Sequence, residues 1–161
     1  MKNFTRFAAA ILLASGTMMA NAPALAQDQA IDLKGDVKLE KVMIDDGGQS
    51  LVELVEPDTI VPGDKLIFGT EYSNNGTETV TNFVVTNPVP SAVRLAPAAP
   101  ANLIVSVDGG ATWGELATLS VEQADGTSRP AQQADVTHIR WTLATVAPGA
   151  KGRLEYPAII R

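Results

Sequence analysis

The run Ser106-Val107-Asp108-Gly109-Gly110-Ala111-Thr112-Trp113 places a carboxylate between two hydroxyl side chains and just ahead of an indole. With Asp108 as acid or nucleophile and Trp113 as a ring platform, these residues could act on or hold a sugar. A mechanical role competes with that chemistry: the carboxylate accepts backbone amides across a turn, the glycines supply unusual φ, and the indole packs the hairpin down. Asp45-Asp46-Gly47-Gly48 and Glu53 offer carboxylates to a calcium ion, but EF-hand spacing is absent and turn chemistry accounts for Asp beside Gly. His138, the single histidine, has no Ser, Cys or second His in motif register, which makes it a surface strand residue rather than a base or ligand. The sequence therefore assigns no catalytic, cofactor-binding or metal-binding residue and implies no cofactor.

Strands must position these groups. The stretch Val61–Val93 reads as two strands of one antiparallel pair. Leu66, Phe68, Thr70 and Tyr72 share one face, with Lys65, Gly69 and Glu71 on the other. Asn75-Gly76 suits positive φ in a tight turn, Thr81–Thr86 resumes a β-branched and aromatic strand, and Asn87-Pro88-Val89-Pro90 ends it. Further strands are expected at Asp36–Ile44, where alternating charges suggest an edge, and at Leu51–Val55, Leu103–Val107 and Leu116–Val121. In Thr137–Thr145, Ile139, Trp141 and Leu143 oppose His138, Arg140 and Thr142. In Arg153–Ile160, Leu154, Tyr156, Ala158 and Ile160 point inward and Pro157 argues for an outer strand. The Ala96–Ala101 connector carries the chain from one sheet to the other, and the polar Ala124–Asp135 loop is where binding would reside. Trp113, Trp141, Tyr72 and Tyr156 are all expected on or against the core, leaving no ring presented to a sugar.

The order Pro62-Gly63-Asp64, apolar strand ending in Tyr72, Asn-x-Gly turn, Val-Thr-Asn-Phe-Val-Val-Thr and proline-containing close resembles the DUF11-type repeat of bacterial envelope and cell-surface proteins. That resemblance covers about Val61–Leu95, with weaker similarity at Asp36–Val42 and after Leu103. It implies an immunoglobulin-like sandwich and an envelope location, and it brings no active site. Residues 106–113 also match the Asp-box pattern of sialidase-like propeller hairpins. A glycosidase of that kind needs repeated boxes, a propeller's length, an arginine cluster and a nucleophilic tyrosine, whereas one box is present.

Residues 1–26 read as a targeting segment. Lys2 and Arg6 form a basic start and Phe7–Met19 is mostly apolar. Ala24-Leu25-Ala26 is a signal-peptidase site, placing cleavage before Gln27. The apolar run is shorter than the roughly 18 to 20 residues that span a bilayer. Without Lys2 and Arg6, 10 basic residues face 18 acidic ones, formally −8 against −6 for the whole chain. Such a charge disfavours nucleic acid and anionic lipid, and no membrane insertion is expected after cleavage. With no cysteine there is no disulfide and no lipid attachment point at the cleavage site.

The expectation is a polar lead-in at 27–35 followed by one all-β, immunoglobulin-like antiparallel sandwich of about seven to nine strands at 36–161. Its expected place is the periplasm or the cell exterior. Its expected role is a non-catalytic interaction or structural module of the bacterial cell envelope, with another envelope protein or a surface polymer as partner. A carbohydrate-binding protein or glycan-acting enzyme using the Asp108–Trp113 hairpin is the alternative. A pilus or chaperone-type component, marked by a missing or donated strand, is the third reading.

Overall fold

The computed structural model describes residues 30–161; the leader expected at residues 1–26 and its expected cleavage point lie outside the described residues. The strands are β1 (Ile31–Ile44), β2 (Ser50–Val55), β3 (Lys65–Asn74), β4 (Val80–Pro88), β5 (Val93–Leu95), β6 (Ile104–Ser106), β7 (Gly114–Glu115), β8 (Ser120–Glu122), β9 (Ser128–Pro130), β10 (His138–Val146) and β11 (Lys151–Ile160). No α-helix forms among the described residues. Single 3-10 turns occur at Leu116–Thr118 and Gln133–Asp135, so the strand expected at Leu116–Val121 begins only at Ser120. Eleven segments exceed the expected seven to nine because β7, β8 and β9 are ribbons of two or three residues.

Two antiparallel sheets carry the domain, one ordered β2-β1-β3-β11-β5 and the other β4-β10-β6-β7, with β8-β9 as a separate ribbon. The chain passes between the main sheets at β3–β4, β4–β5, β5–β6 and β10–β11. The proline-alanine connector is the third of these passages, as its composition implied. A stack of Phe68 on Tyr156, 5.0 Å between ring centroids and 5° from parallel, joins β3 to β11. Trp141 of β10 reaches Tyr156 across the sandwich at 6.3 Å. Leu39, Leu66, Val105, Ile139 and Ala158 close around them.

The expected hairpin from Val61 to Val93 does not form: β3 pairs with β1 and β11, while β4 pairs with β10 in the other sheet. Asn74, fully buried, decides the crossing. Its Oδ1 accepts the Gly76 N–H at 3.0 Å, and its Nδ2 donates to the Glu78 and Val146 carbonyls, each at 2.9 Å. Local side-chain bonding thus replaces the strand ladder. Gly76 has no positive φ. It is required instead by close approach, since a Cβ there would lie 2.9 Å from that of Ala30.

The lead-in is shorter than expected: Ile31 to Gly35 already pair with Asn74 to Thr70, and Ile31 is buried. β1 is not an outer strand, for β2 and β3 flank it. Its alternating charges line the outer face of the sheet, where Arg153 meets Asp36 at 2.8 Å and Lys65 meets Glu40 at 2.6 Å. β11 is likewise internal, between β3 and β5. Pro157 is tolerated because its carbonyl points toward the β5 side and accepts the Ala96 N–H at 2.9 Å, just past the end of that three-residue strand. The missing amide hydrogen therefore breaks no ladder bond.

Candidate functional site

Two places invite a functional reading, the Asp108 hairpin and the far end of β1–β2. The first is built on the β6–β7 pair, where Val105 faces Gly114 and Ile104 faces Glu115. Gly109 and Gly110 adopt φ of 79° and 95°, a conformation that a side chain would strain. Asp108 Oδ1 accepts the Ser106 hydroxyl at 2.7 Å and the Ala111 and Thr112 amides at 3.0 and 2.9 Å. Its Oδ2 accepts the Thr112 hydroxyl at 2.6 Å. The Thr112 hydroxyl and amide, then Ser106, hold the Asp108 carboxyl well below the usual carboxylate range. A general acid must carry a proton near neutral pH, and this carboxylate does not.

Trp113 completes the turn by donating its indole N–H to the Gly110 carbonyl at 2.8 Å. One ring face is occupied by the Arg140 guanidinium, 3.6 Å from the centroid, and His138 stands edge-on at 6.3 Å. Thr137 ties the hairpin to the start of β10, its hydroxyl accepting the Gly109 amide at 3.1 Å and donating to the Ser106 carbonyl at 3.1 Å. His138 lies on the outer sheet face as its alternation implied, but half-buried against Trp113 rather than freely solvated. Trp113, Trp141 and Tyr72 are half-buried and Tyr156 is fully buried, so the two tryptophans are less enclosed than expected.

The other predicted positions are also engaged locally. Asp45 Oδ1 accepts the Gly47 and Gln49 amides at 2.9 and 2.8 Å, while Glu53 sits opposite Lys41 farther down the hairpin. Among the described residues no group of three His, Cys, Asp or Glu converges as a metal site. The Ala124–Asp135 loop is folded on itself. Arg129 grips Asp135 through two bonds of 2.6 and 2.7 Å, and Arg161 reaches the Ala134 carbonyl at 2.6 Å.

The second place was read only as two strands and a turn. β1 leaves β3 at Leu39, the last residue with a partner there, and runs on to Ile44 with β2 alone beside it. The resulting two-stranded arm carries Val42, Ile44, Leu51 and Val52 at 56–73% exposure, with Met43 and Leu54 at 43% and 48%. Val42 faces Val52 across the pair, and Ile44 and Leu54 flank them on the same side. An apolar two-stranded ribbon without cover is marginal in water. The sequence signal was the failure of Leu51-Val52-Glu53-Leu54-Val55 to alternate. A strand with one wet face shows polar residues at every second position.

No family model matches this chain, and no curated protein or solved structure shows significant similarity to it.

Proposed function

We propose that this chain is an exported, non-catalytic interaction module of the bacterial cell envelope that engages its partner through the β1–β2 arm. The uncovered arm carries the reading: six large apolar side chains stand exposed on the ribbon beyond the Leu39 and Val55 pair that packs on the core, and burying each would contribute about 1 kcal/mol or more to association. The proposal retains the likeness of Val61–Leu95 to DUF11-type repeats, and the two facing antiparallel sheets support the finer reading of an immunoglobulin-like sandwich. The leader-like start at Lys2–Ala26 supports export.

The carbohydrate alternative is weaker on geometry. Asp108 has its oxygens committed to the turn, Trp113 has one face under Arg140, and Tyr156 is in the core. A photo-crosslinking residue at Val42, introduced into the full chain in an exporting cell, tests the proposal. Discrete adducts with a protein are expected there and not from a control position at Thr142 on the opposite sheet. Absence of adducts, together with glycan binding abolished by Trp113→Ala, would transfer the function to the Asp108 hairpin.

A further inference from the structure

The backbone of the arm is directional. Asp45 donates its N–H to the Gln49 carbonyl across the hairpin at 2.9 Å, so the polar groups of Asp45 face β2. Because these groups alternate along a strand, Leu51, Glu53 and Val55 turn theirs toward β1, and Ser50, Val52 and Leu54 turn theirs outward. β2 is the outermost strand of its sheet, so the outward groups meet no neighbouring strand. Edges are ordinarily blunted by proline, lysine or a distorted backbone. β4, the end strand of the other sheet, has Pro88 and a left-handed Asn82 with φ 52°. Ser50-Leu51-Val52-Glu53-Leu54-Val55 has none of these devices.

We infer, resting on the interaction-module reading above, that the occupant of this edge is a second copy of the same chain, β2 pairing antiparallel with β2 about a two-fold axis at Val52. This register sets Val52 against Val52, Ser50 against Leu54 and Leu51 against Glu53 of the second copy. It engages all three outward-facing residues at once. Centring on Glu53 instead would place two carboxylates side by side, which destabilises a strand pair. Glu53 needs no new counter-charge, since Lys41 already lies opposite it within its own hairpin. The pairing also merges the Val42, Ile44, Val52 and Leu54 faces into one four-stranded apolar surface. A lipid surface is a poorer match because the arm ends in Asp45 and Asp46, which anionic headgroups repel. An isologous contact of this kind closes on itself as a dimer.

The chain has no cysteine, so single cysteines report register without background. Directly opposed residues in a hydrogen-bonded antiparallel pair lie about 5.5 Å apart between Cα atoms, within disulfide range. Under mild oxidation Val52→Cys should form a covalent dimer roughly tenfold faster than Glu53→Cys, whose counterpart is displaced along the strand. Sedimentation velocity of the purified wild type should show dimer growing in from about 10 to 500 μM, as befits a contact smaller than a standard interface. Leu54→Lys, at an exposed position, should keep the wild-type circular dichroism spectrum and remain monomeric. A monomeric wild type throughout, equal crosslinking at the two cysteines, or monomer that floats with lipid vesicles would overturn the inference. If the wild type is monomeric while Val42 still crosslinks to a different protein in the cell, self-pairing fails and the interaction-module reading stands. If no adduct forms either, both fail.

Discussion

Asn74 and Asp108 do the same work in two settings, each replacing a run of ladder bonds with one polar side chain. Asn74 is fully buried and satisfies Gly76, Glu78 and Val146 together. Asn74→Ala strands three backbone groups and is expected to cost about 3 kcal/mol or more, measured by urea unfolding. Asn74→Asp should also destabilise, because a carboxylate cannot donate to the two carbonyls. At the exposed turn, Asp108→Ala should lower the melting temperature while leaving arm-dependent contacts unchanged. Its pH dependence follows from the depressed carboxyl. A group whose folded pKa lies below its unfolded value, ordinarily 3.8, contributes stability above that value. The contribution is lost as pH falls through the lower, folded value. The gap in melting temperature between wild type and Asp108→Ala should therefore be full at pH 6 and narrow below about pH 4. A gap independent of pH would mean that the carboxylate charge has no part in the turn. Tyr156 has the opposite edge. Burial pushes its phenol from 10.0 up to about 12, so its contribution is complete below pH 10 and is lost as pH rises through the folded value. Tyr156→Phe should cost under about 1 kcal/mol at neutral pH, given only a 3.4 Å bond to the Pro88 carbonyl, and should flatten the alkaline loss of stability.

At the scale of elements, strand identity was legible and strand partnership was not. Leu66, Phe68, Thr70 and Tyr72 alternate against Lys65, Gly69 and Glu71, but in β3 Ile67 and Gly69 on the second face are buried too, Gly69 beneath the Arg153 guanidinium. Asn75-Gly76 nevertheless failed to predict a hairpin, since the residue before it, Asn74, takes the amide and carbonyls that a continuing ladder would use. Gly76→Ala tests this account: its new Cβ would crowd Ala30, and destabilisation is expected even though no left-handed backbone is involved. The arm is the converse case, an element with little tertiary support. Replacing Val42–Val52 by a two-residue Asn-Gly turn, closed by the hydrogen-bonded Lys41 and Glu53 pair, should shift the melting temperature of the sandwich by less than about 4 °C, the effect of roughly 1 kcal/mol in a domain of this size. A larger fall, followed by thermal unfolding, would show that the arm stabilises the sheet beneath it and is not primarily a contact element.

For the molecule as a whole, acid outnumbers base, and the largest ion cluster among the described residues is itself acidic. Asp36, Glu71 and Glu155 surround Arg153 on the outer face of the five-stranded sheet, and a Cβ on Gly69 would collide with that guanidinium. Asp125 and Asp135 join Asp108 in being held below their ordinary carboxyl range, Asp125 by Thr127 and Asp135 by Arg129. By the same sign, acid should erode stability below about pH 4 rather than gradually from neutrality. A stability profile declining steadily from pH 7 would argue against this cause. What the residue order determined by itself was local: the period-two strands, the Asp108 turn with backbone amides on its carboxylate though not the Ser106 and Thr112 hydroxyls, the inward Tyr156 and the passage between sheets at the proline-alanine connector. These follow from side chains acting on backbone a few positions away, where spacing alone sets the geometry. Which strands lie side by side, why Pro157 can sit inside a sheet, and that Arg140 closes a face of Trp113 were decided only by tertiary structure. So was the arm's exposure, because Leu51, Val52 and Leu54 look equally apolar whether a second sheet covers them or water does. Burial depends on what the rest of the chain brings opposite, and here the four-stranded sheet ends before it reaches them.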